Sequence, residues 1–146
     1  MERNPYEVFS QPEYWCGETG SYRPPGYKDF LINDIRAQYI LSKRPKSVLD
    51  IGCGGNYIVQ RLRKWGIDAW GIDISSYAKE HFCPPEVKEY FVVGNIADMS
   101  MFQDGQFDLA FSMGVLEHLA EGDLEKANRE IRRVCRGGIL APCFST

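Results

Sequence analysis

The chain has 146 residues, of which 44% are hydrophobic, 13% aromatic and 25% charged, a composition that allows one globular domain and excludes a chain disordered throughout. Its net charge of −3 gives no reason to expect a nucleic-acid partner recruited by bulk positive charge. No apolar stretch approaches the roughly 20 residues that cross a bilayer, and no secretory signal is visible, so we expect a cytoplasmic protein without membrane contact. The five cysteines form no C-x-x-C pair, which favours reduced thiols over a disulfide framework or a metal site.

The first segment, residues 1–26, differs in composition from the rest of the chain. It holds four of the eight prolines together with several glycines and aromatic residues, and such residues interrupt regular structure. We interpret it as an arm that packs over the remaining domain, residues 27–146. The arm either covers core surface or acts as a lid over a binding site, with Tyr14, Trp15 and Tyr22 as the candidate lid residues.

The pattern becomes helical at residue 27. Leu31, Ile35 and Tyr39 recur at four-residue spacing with charged and polar residues between them. This spacing predicts an amphipathic helix of about four turns over residues 27–44, with these three side chains on its apolar face.

Strands and further helices alternate along the rest of the chain. The predicted strands cover residues 47–51, 69–72, 90–93, 107–112 and 139–144, and the predicted helices cover residues 57–65, 75–82 and 123–134. The first of these helices has Ile58, Leu62 and Trp65 on one face. The last has Asp123 as its expected N-cap and an apolar stripe made of Leu124, Ala127, Ile131 and Val134.

This alternation predicts an α/β fold with a doubly wound, mainly parallel sheet. Ligands of such sheets bind at the carboxyl ends of the strands, where the strand order reverses. The segments to inspect are therefore those that follow the strands: residues 50–56, 73–75, 94–96 and 112–118.

The segment after the first strand combines an acidic residue with a cluster of glycines. The glycines let the backbone turn tightly and approach a ligand, but Asp50 would repel a diphosphate and suits an ammonium group instead. No Gly-Lys-Ser/Thr follows, which excludes a Walker loop, and Tyr57 stands where a dinucleotide fingerprint built on Gly52 and Gly54 needs a small residue.

Asp73 ends the second strand about 20 residues after the glycine loop. In nucleoside-binding sheets an acidic residue at this place holds the two ribose hydroxyls. The alternative is that Asp73 caps the following helix, but Ser75 or Ser76 is able to provide that cap, so we favour the ribose role.

Five segments occur together and in order in this chain: 48–54, Gly71-Ile72-Asp73-Ile74-Ser75, 94–98, 107–112 and Val115-Leu116-Glu117-His118-Leu119. In this combination the chain resembles the class I S-adenosylmethionine-dependent methyltransferases, and among them the subgroup with the V-L-E-H-L segment. The resemblance extends over about residues 46–140. It implies a Rossmann-like sheet, S-adenosylmethionine as the cofactor and S-adenosylhomocysteine as its product.

The resemblance also implies roles for particular residues. The methionine half of the cofactor would lie along the loop that contains Gly52, Cys53 and Gly54, with Asp50 orienting that end. The other implied contacts are Asp73 with the ribose hydroxyls, Ile74 with the adenine face, Asn95 and the Ile96 backbone N–H with the adenine edge, and Met113 with the sulfonium end.

Several positions depart from the family pattern. Asn56 replaces the third loop glycine, and Asn tolerates a left-handed backbone better than most residues. Asn95 replaces an aspartate, and its amide oxygen still accepts a hydrogen bond. The strand pair that usually ends the family's sheet is missing from the chain. His118 is the candidate general base, because an imidazole is the side chain most often used to accept a proton in catalysis, and the alternative is that Glu117 and His118 only orient their loop.

These observations favour methyl transfer to a small-molecule or protein acceptor. The alternative is a non-catalytic, methyltransferase-like subunit that binds a partner. The fifth strand, residues 139–144, carries no charge and is expected at an uncovered sheet edge, which tends to pair with another chain. We expect either a fragment of a longer protein, a homodimer, or a partner that supplies further strands.

Overall fold

Parallel strands form the centre of the structure, which is a computed structural model that describes residues 4–16 and 31–141. Within these residues the sheet has the order β3-β2-β1-β4-β5, and every neighbouring pair is parallel. The strands are β1 (Ser47–Ile51), β2 (Asp68–Asp73), β3 (Phe91–Val93), β4 (Leu109–Ser112) and β5 (Ile139–Leu140). The helices are α1 (Pro12–Cys16), α2 (Leu31–Ser42), α3 (Tyr57–Lys64), α4 (Ser76–His81) and α5 (Asp123–Val134). The predicted doubly wound α/β fold is confirmed.

Each face of the sheet is covered by its own layer of apolar side chains. On one face, Val48 and Phe111 pack with Ile40 of α2 and Leu62 of α3. On the other face, Leu49, Ile51 and Ala110 pack with α5. Because neighbouring residues of a strand point to opposite faces, β1 and β4 are buried on both sides, as expected for the middle of a parallel sheet.

The strand order reverses at β1. The chain moves from β1 outward to β2 and β3, then returns to place β4 on the other side of β1. The loops that follow β1 and β4 therefore leave the sheet in opposite directions and open a crevice at its carboxyl edge. This is the position at which the sequence predicts a ligand site.

The orientation of α2 differs from the prediction. Leu31 and Ile35, expected on the buried face, are 70% and 54% exposed. The buried residues of α2 are Asn33, Ala37 and Ile40. The apolar spacing predicts the helix correctly but predicts the wrong buried face. The polar side chain of Asn33 is fully buried at the carboxyl edge of the sheet, which a hydrophobic pattern does not indicate.

Several boundaries and side-chain positions also differ from the expectation. Trp65 ends α3 and is 66% exposed instead of packing with Leu62. Gly122 occupies the N-cap position of α5, so Asp123 is its first helical residue and does not cap it. Strand β5 ends at Leu140, and residues 142–146 lie outside the described residues. None of the helices within residues 4–16 and 31–141 is long and apolar enough to cross a membrane.

Candidate functional site

A cavity of about 280 Å³ lies at the carboxyl edge of the sheet, at the reversal of the strand order. All four segments singled out in the sequence contribute to its wall. The predicted site residues that line it are Gly52, Gly54, Asp73, Ile74, Asn95, Ile96, Met113, His118, Tyr14 and Trp15. Tyr22, the third candidate lid residue, lies outside the described residues.

The loop after β1 needs small residues for steric reasons. Gly52 has a φ of +72°, and a Cβ atom at this position would overlap the side chain of Val115 from the loop after β4. Asn56 adopts a left-handed conformation with a φ of 62° at the start of α3. The expected tolerance of Asn at this turn is thus confirmed, and the side-chain Nδ2 of Asn56 also donates to the Val87 carbonyl at 3.1 Å.

Asp73 supports the same loop from the end of β2. One carboxylate oxygen accepts a hydrogen bond from the Gly54 N–H at 2.8 Å, and the other accepts one from the Ser75 N–H at 2.9 Å. Burial raises the pKa of Asp73, and hydrogen bonds from backbone N–H groups oppose that effect. The helix cap comes from Ser75, whose hydroxyl accepts from the Ala78 N–H at 3.0 Å. Asp73 therefore does not cap α4, and it lines the cavity.

A second, smaller cavity of about 40 Å³ adjoins the first, and Gly52 and Met113 line both. Its wall contains Asp50 together with Asn33 and Arg36 of α2. The pKa of Asp50 is raised to about 7, because burial and the charge of Asp73 raise it by more than the charge of Arg36 lowers it. The structure places Asp50 here and not in the main cavity.

Cys53 also lines the small cavity, and its side chain belongs to the apolar core on the α2 and α3 side of the sheet. Burial raises the pKa of its thiol well above the usual value, so the thiol stays protonated. Sequence reasoning missed Asn33 and Arg36 as site residues. Two polar residues within a helix carry no such signal until the buried face of that helix is known.

The segments after β3 and β4 complete the main cavity. The Asn95 side-chain oxygen accepts a hydrogen bond from the Ala97 N–H at 2.9 Å, which orders the turn after β3. Ile96 is buried among the apolar residues under α5. His118 ends a 3₁₀ helix, Leu116–His118, and its ring lies 5.8 Å from that of Phe9.

The described part of the arm, residues 4–16, contributes to the wall of the main cavity. It forms a 3₁₀ helix, Glu7–Ser10, followed by α1, neither of which the sequence predicted. The Trp15 indole N–H donates to the Phe9 carbonyl at 2.8 Å, and its ring packs against Phe82 at the end of α4. Tyr6 and Phe9 line the cavity as well, although no sequence pattern distinguishes them from the arm's other aromatic residues.

The cavity thus joins an acidic side chain at the end of β2 to apolar walls after β2 and β3 and to a separate polar cavity beyond Gly52. This division suits a ligand with a hydroxylated ring at one end, a flat apolar group beside it and charged groups at the other end. The segment 49–141 matches the family model described as a methyltransferase domain. The chain belongs to this family, within the class I S-adenosylmethionine-dependent methyltransferases.

This chain matches only part of the length of its curated relatives. The ubiquinone biosynthesis O-methyltransferase of Vibrio parahaemolyticus is 28% identical over 115 residues, which are 73% of this chain and 47% of that protein. The norajmaline N-methyltransferase of Rauvolfia serpentina is 37% identical over 106 residues, 66% of this chain and 35% of that protein. The chain therefore spans less than half the length of these relatives.

Solved structures show the same fold. The PH0226 protein of Pyrococcus horikoshii superimposes with a TM-score of 0.64 at 23% sequence identity, over 97% of this chain and 62% of that chain.

Proposed function

We propose that this chain binds S-adenosylmethionine across the two adjoining cavities and transfers its methyl group to a small-molecule or protein acceptor. The observation that carries the proposal is that polar groups lie in both adjoining cavities, with Gly52 and Met113 between them. Asp73 forms one end, and Asp50 with Arg36 forms the other.

The small cavity has the chemistry that an amino-acid group requires. An amino acid carries an ammonium and a carboxylate on one carbon atom, and Asp50 and Arg36 offer one partner of opposite charge to each. The burial of Asp50 strengthens such a charge-assisted hydrogen bond, because water competes weakly there. Asn33 adds a buried amide that is able to bind either group.

The main cavity has the chemistry that the nucleoside half requires. The backbone N–H groups of Gly54 and Ser75 each use one acceptor site of Asp73, and a carboxylate has about four such sites, so acceptor capacity remains for a ribose hydroxyl. Ile74 and Ile96 supply apolar surface for an adenine ring, and Asn95 keeps a second lone pair on its oxygen for the adenine edge.

When bound, the cofactor supplies a methyl group that is already activated by the positive sulfonium. The chain's own residues then hold the two reactants in line and exclude water. We assign the exclusion of water to the arm as a lid, with Tyr14 and Trp15 over the cavity. His118 is the group in this wall that is suited to accept a proton from the acceptor.

We also propose a cytoplasmic location. The thiols of Cys53, Cys83 and Cys135 are buried and free, as is usual in a reducing compartment.

Calorimetric titration with S-adenosylmethionine and S-adenosylhomocysteine tests the proposed site. We expect saturable 1:1 binding to the wild-type chain and a clear loss of affinity for Arg36→Met. Arg132→Met, on the exposed side of α5, is the matched control and keeps wild-type affinity. Absence of binding at millimolar cofactor would overturn the proposed function, and incubation with labelled cofactor and an acceptor library then tests transfer itself.

A further inference from the structure

The main cavity is unusual in the charges that surround it. Among the described residues, its wall contains no Lys or Arg side chain, whereas Asp73 contributes a carboxylate. Several basic residues elsewhere in the described chain form ion pairs with acidic side chains, as Arg61 does with Asp34 and Arg136 with Asp108. An acceptor that carries a carboxylate or phosphate finds no opposite charge in this wall.

A second carboxylate, that of Glu117, belongs to the loop whose residues Gly114 and His118 line the cavity, although Glu117 itself is not part of the wall. One of its oxygens lies 3.8 Å from the place that a Cβ atom on Gly114 would take, and Gly114 lines the cavity. Glu117 is exposed and makes no hydrogen bond or ion pair with other residues in the described segments. The cofactor roles proposed above do not use it, so its charge is available to another ligand.

Aromatic rings of the arm lie against His118, the residue that follows Glu117 in the chain. The rings of Phe9 and Tyr14 meet edge to face at 4.9 Å, and Phe9 meets His118 on its other side at 5.8 Å. Burial raises the pKa of Tyr14, and the charges of Asp73 and Glu117 raise it as well. Ring faces near carboxylates attract cations, through the ring quadrupole as well as through charge.

We propose that the acceptor is an aromatic amine that binds as a cation, with its ammonium group beside Glu117 and its ring against Phe9 and Tyr14. This inference rests on the proposed function and adds the chemical class of the acceptor. It concerns recognition and holds whichever atom of the acceptor receives the methyl group. It assigns Glu117 and Tyr14 as residues that determine specificity.

A pair of probes that differ in charge tests the inference. Tryptamine and 3-indolepropionate share a ring and a short chain but end in an ammonium and a carboxylate. Each is titrated by calorimetry into the full chain saturated with S-adenosylhomocysteine. We expect tryptamine to bind at least about tenfold more tightly, which corresponds to about 1.4 kcal/mol.

Two variants locate the source of this preference. Glu117→Gln keeps the shape of the side chain and removes its charge, so we expect the ratio of the two affinities to fall severalfold. Glu121→Gln, which removes an exposed negative charge four positions further along the chain, is the control and keeps the wild-type ratio.

Equal binding of the two probes, tighter binding of the carboxylate, or binding of neither would overturn the inference. A wild-type ratio in Glu117→Gln would do the same. The titration with S-adenosylhomocysteine is recorded first, so a failure of the proposed cofactor site is seen separately from a failure of the acceptor class.

Discussion

The hydroxyl group of Tyr6 donates a hydrogen bond of 2.5 Å to a carboxylate oxygen of Asp123, although the two residues lie 117 positions apart in the chain. The same hydroxyl accepts a hydrogen bond from the Ala120 N–H at 3.0 Å. The arm is thus fixed at its beginning to the first turn of α5. Phe9, Tyr14 and Trp15 follow in the chain and line the cavity.

Tyr6→Phe tests whether this attachment holds the arm in place. The variant keeps the ring and removes the hydroxyl, so we expect faster proteolytic cleavage within residues 4–16 and a severalfold loss of cofactor affinity. Tyr39→Phe, which removes a hydroxyl from the exposed face of α2, is the control. Unchanged cleavage and affinity in Tyr6→Phe would show that the arm does not depend on this contact.

Deletion of residues 1–16 distinguishes the two roles that the sequence left open for the arm. If the arm is a lid, the shortened chain loses cofactor affinity or turnover while its melting temperature changes little. If the arm covers core surface, the melting temperature falls and the folded fraction binds cofactor normally. Calorimetric titration and thermal unfolding followed by circular dichroism measure the two quantities.

Asp73→Asn is expected to lower both stability and cofactor affinity. An amide has one acceptor oxygen, so one of the two backbone N–H groups, of Gly54 or Ser75, loses its partner. The loss of a buried hydrogen bond to a charged group costs about 1–3 kcal/mol of unfolding free energy. Urea denaturation measures this term. Asp98→Asn, which changes a similar contact on the exposed surface, should remain near wild type.

Asp50 predicts a pH dependence of stability with a definite sign. Its pKa in the folded chain is about 7, against an ordinary value of 3.8, so between these values the folded state binds a proton that the unfolded state has lost. The free energy of unfolding therefore decreases as the pH rises from about 4 to 7. Asp73, whose pKa burial also raises, acts in the same direction. In Asp50→Asn the slope over this range becomes smaller, as denaturant titrations at several pH values will show.

The two faces of α2 provide a direct comparison in stability. Ile40 is fully buried, and Ile40→Ala should cost about 2–5 kcal/mol. Ile35→Ala, on the exposed face of the same helix, should remain within about 0.5 kcal/mol of wild type. A large loss from Ile35→Ala would mean that another surface covers this face in solution.

The edge strand β5 tests the expected self-association. It pairs with β4 in the described sheet, and Ile139 is exposed at that edge. We expect the 146-residue chain to associate at high micromolar concentration and Ile139→Lys to shift it toward the monomer, because an edge charge opposes strand pairing. Leu124→Lys on α5 is the control for added charge. Light scattering that shows a stable wild-type monomer contradicts this expectation.

The sequence was sufficient to predict the sheet and the edge that carries the site. Strands β1 and β2 are short, mostly apolar runs that lead into glycine and acidic residues. The local hydrophobic pattern is enough to predict such strands. The carboxyl ends of parallel strands always share one edge of the sheet. The sequence alone therefore predicts that the segments 52–54 and 73–75 lie close together.

The rest depends on contacts that have no local pattern. The buried face of α2 includes Asn33, a residue that hydropathy assigns to the surface, so the helix was placed the wrong way round and Arg36 was missed. The docking of the arm depends on Tyr6 reaching Asp123. Such a long-range hydrogen bond between two ordinary polar residues cannot be read from either segment alone.

The position of Trp15 gives the chain its own optical reporter. Trp15 belongs to the arm, is 7% exposed and packs against Phe82, while Trp65 is open to water and Trp70 is partly covered. In a background with Trp65→Phe and Trp70→Phe, the fluorescence of the chain comes from Trp15 alone. Release of the arm would hydrate the indole and move its emission to longer wavelength, so the rate at which the site opens becomes measurable in a stopped-flow instrument without any added dye.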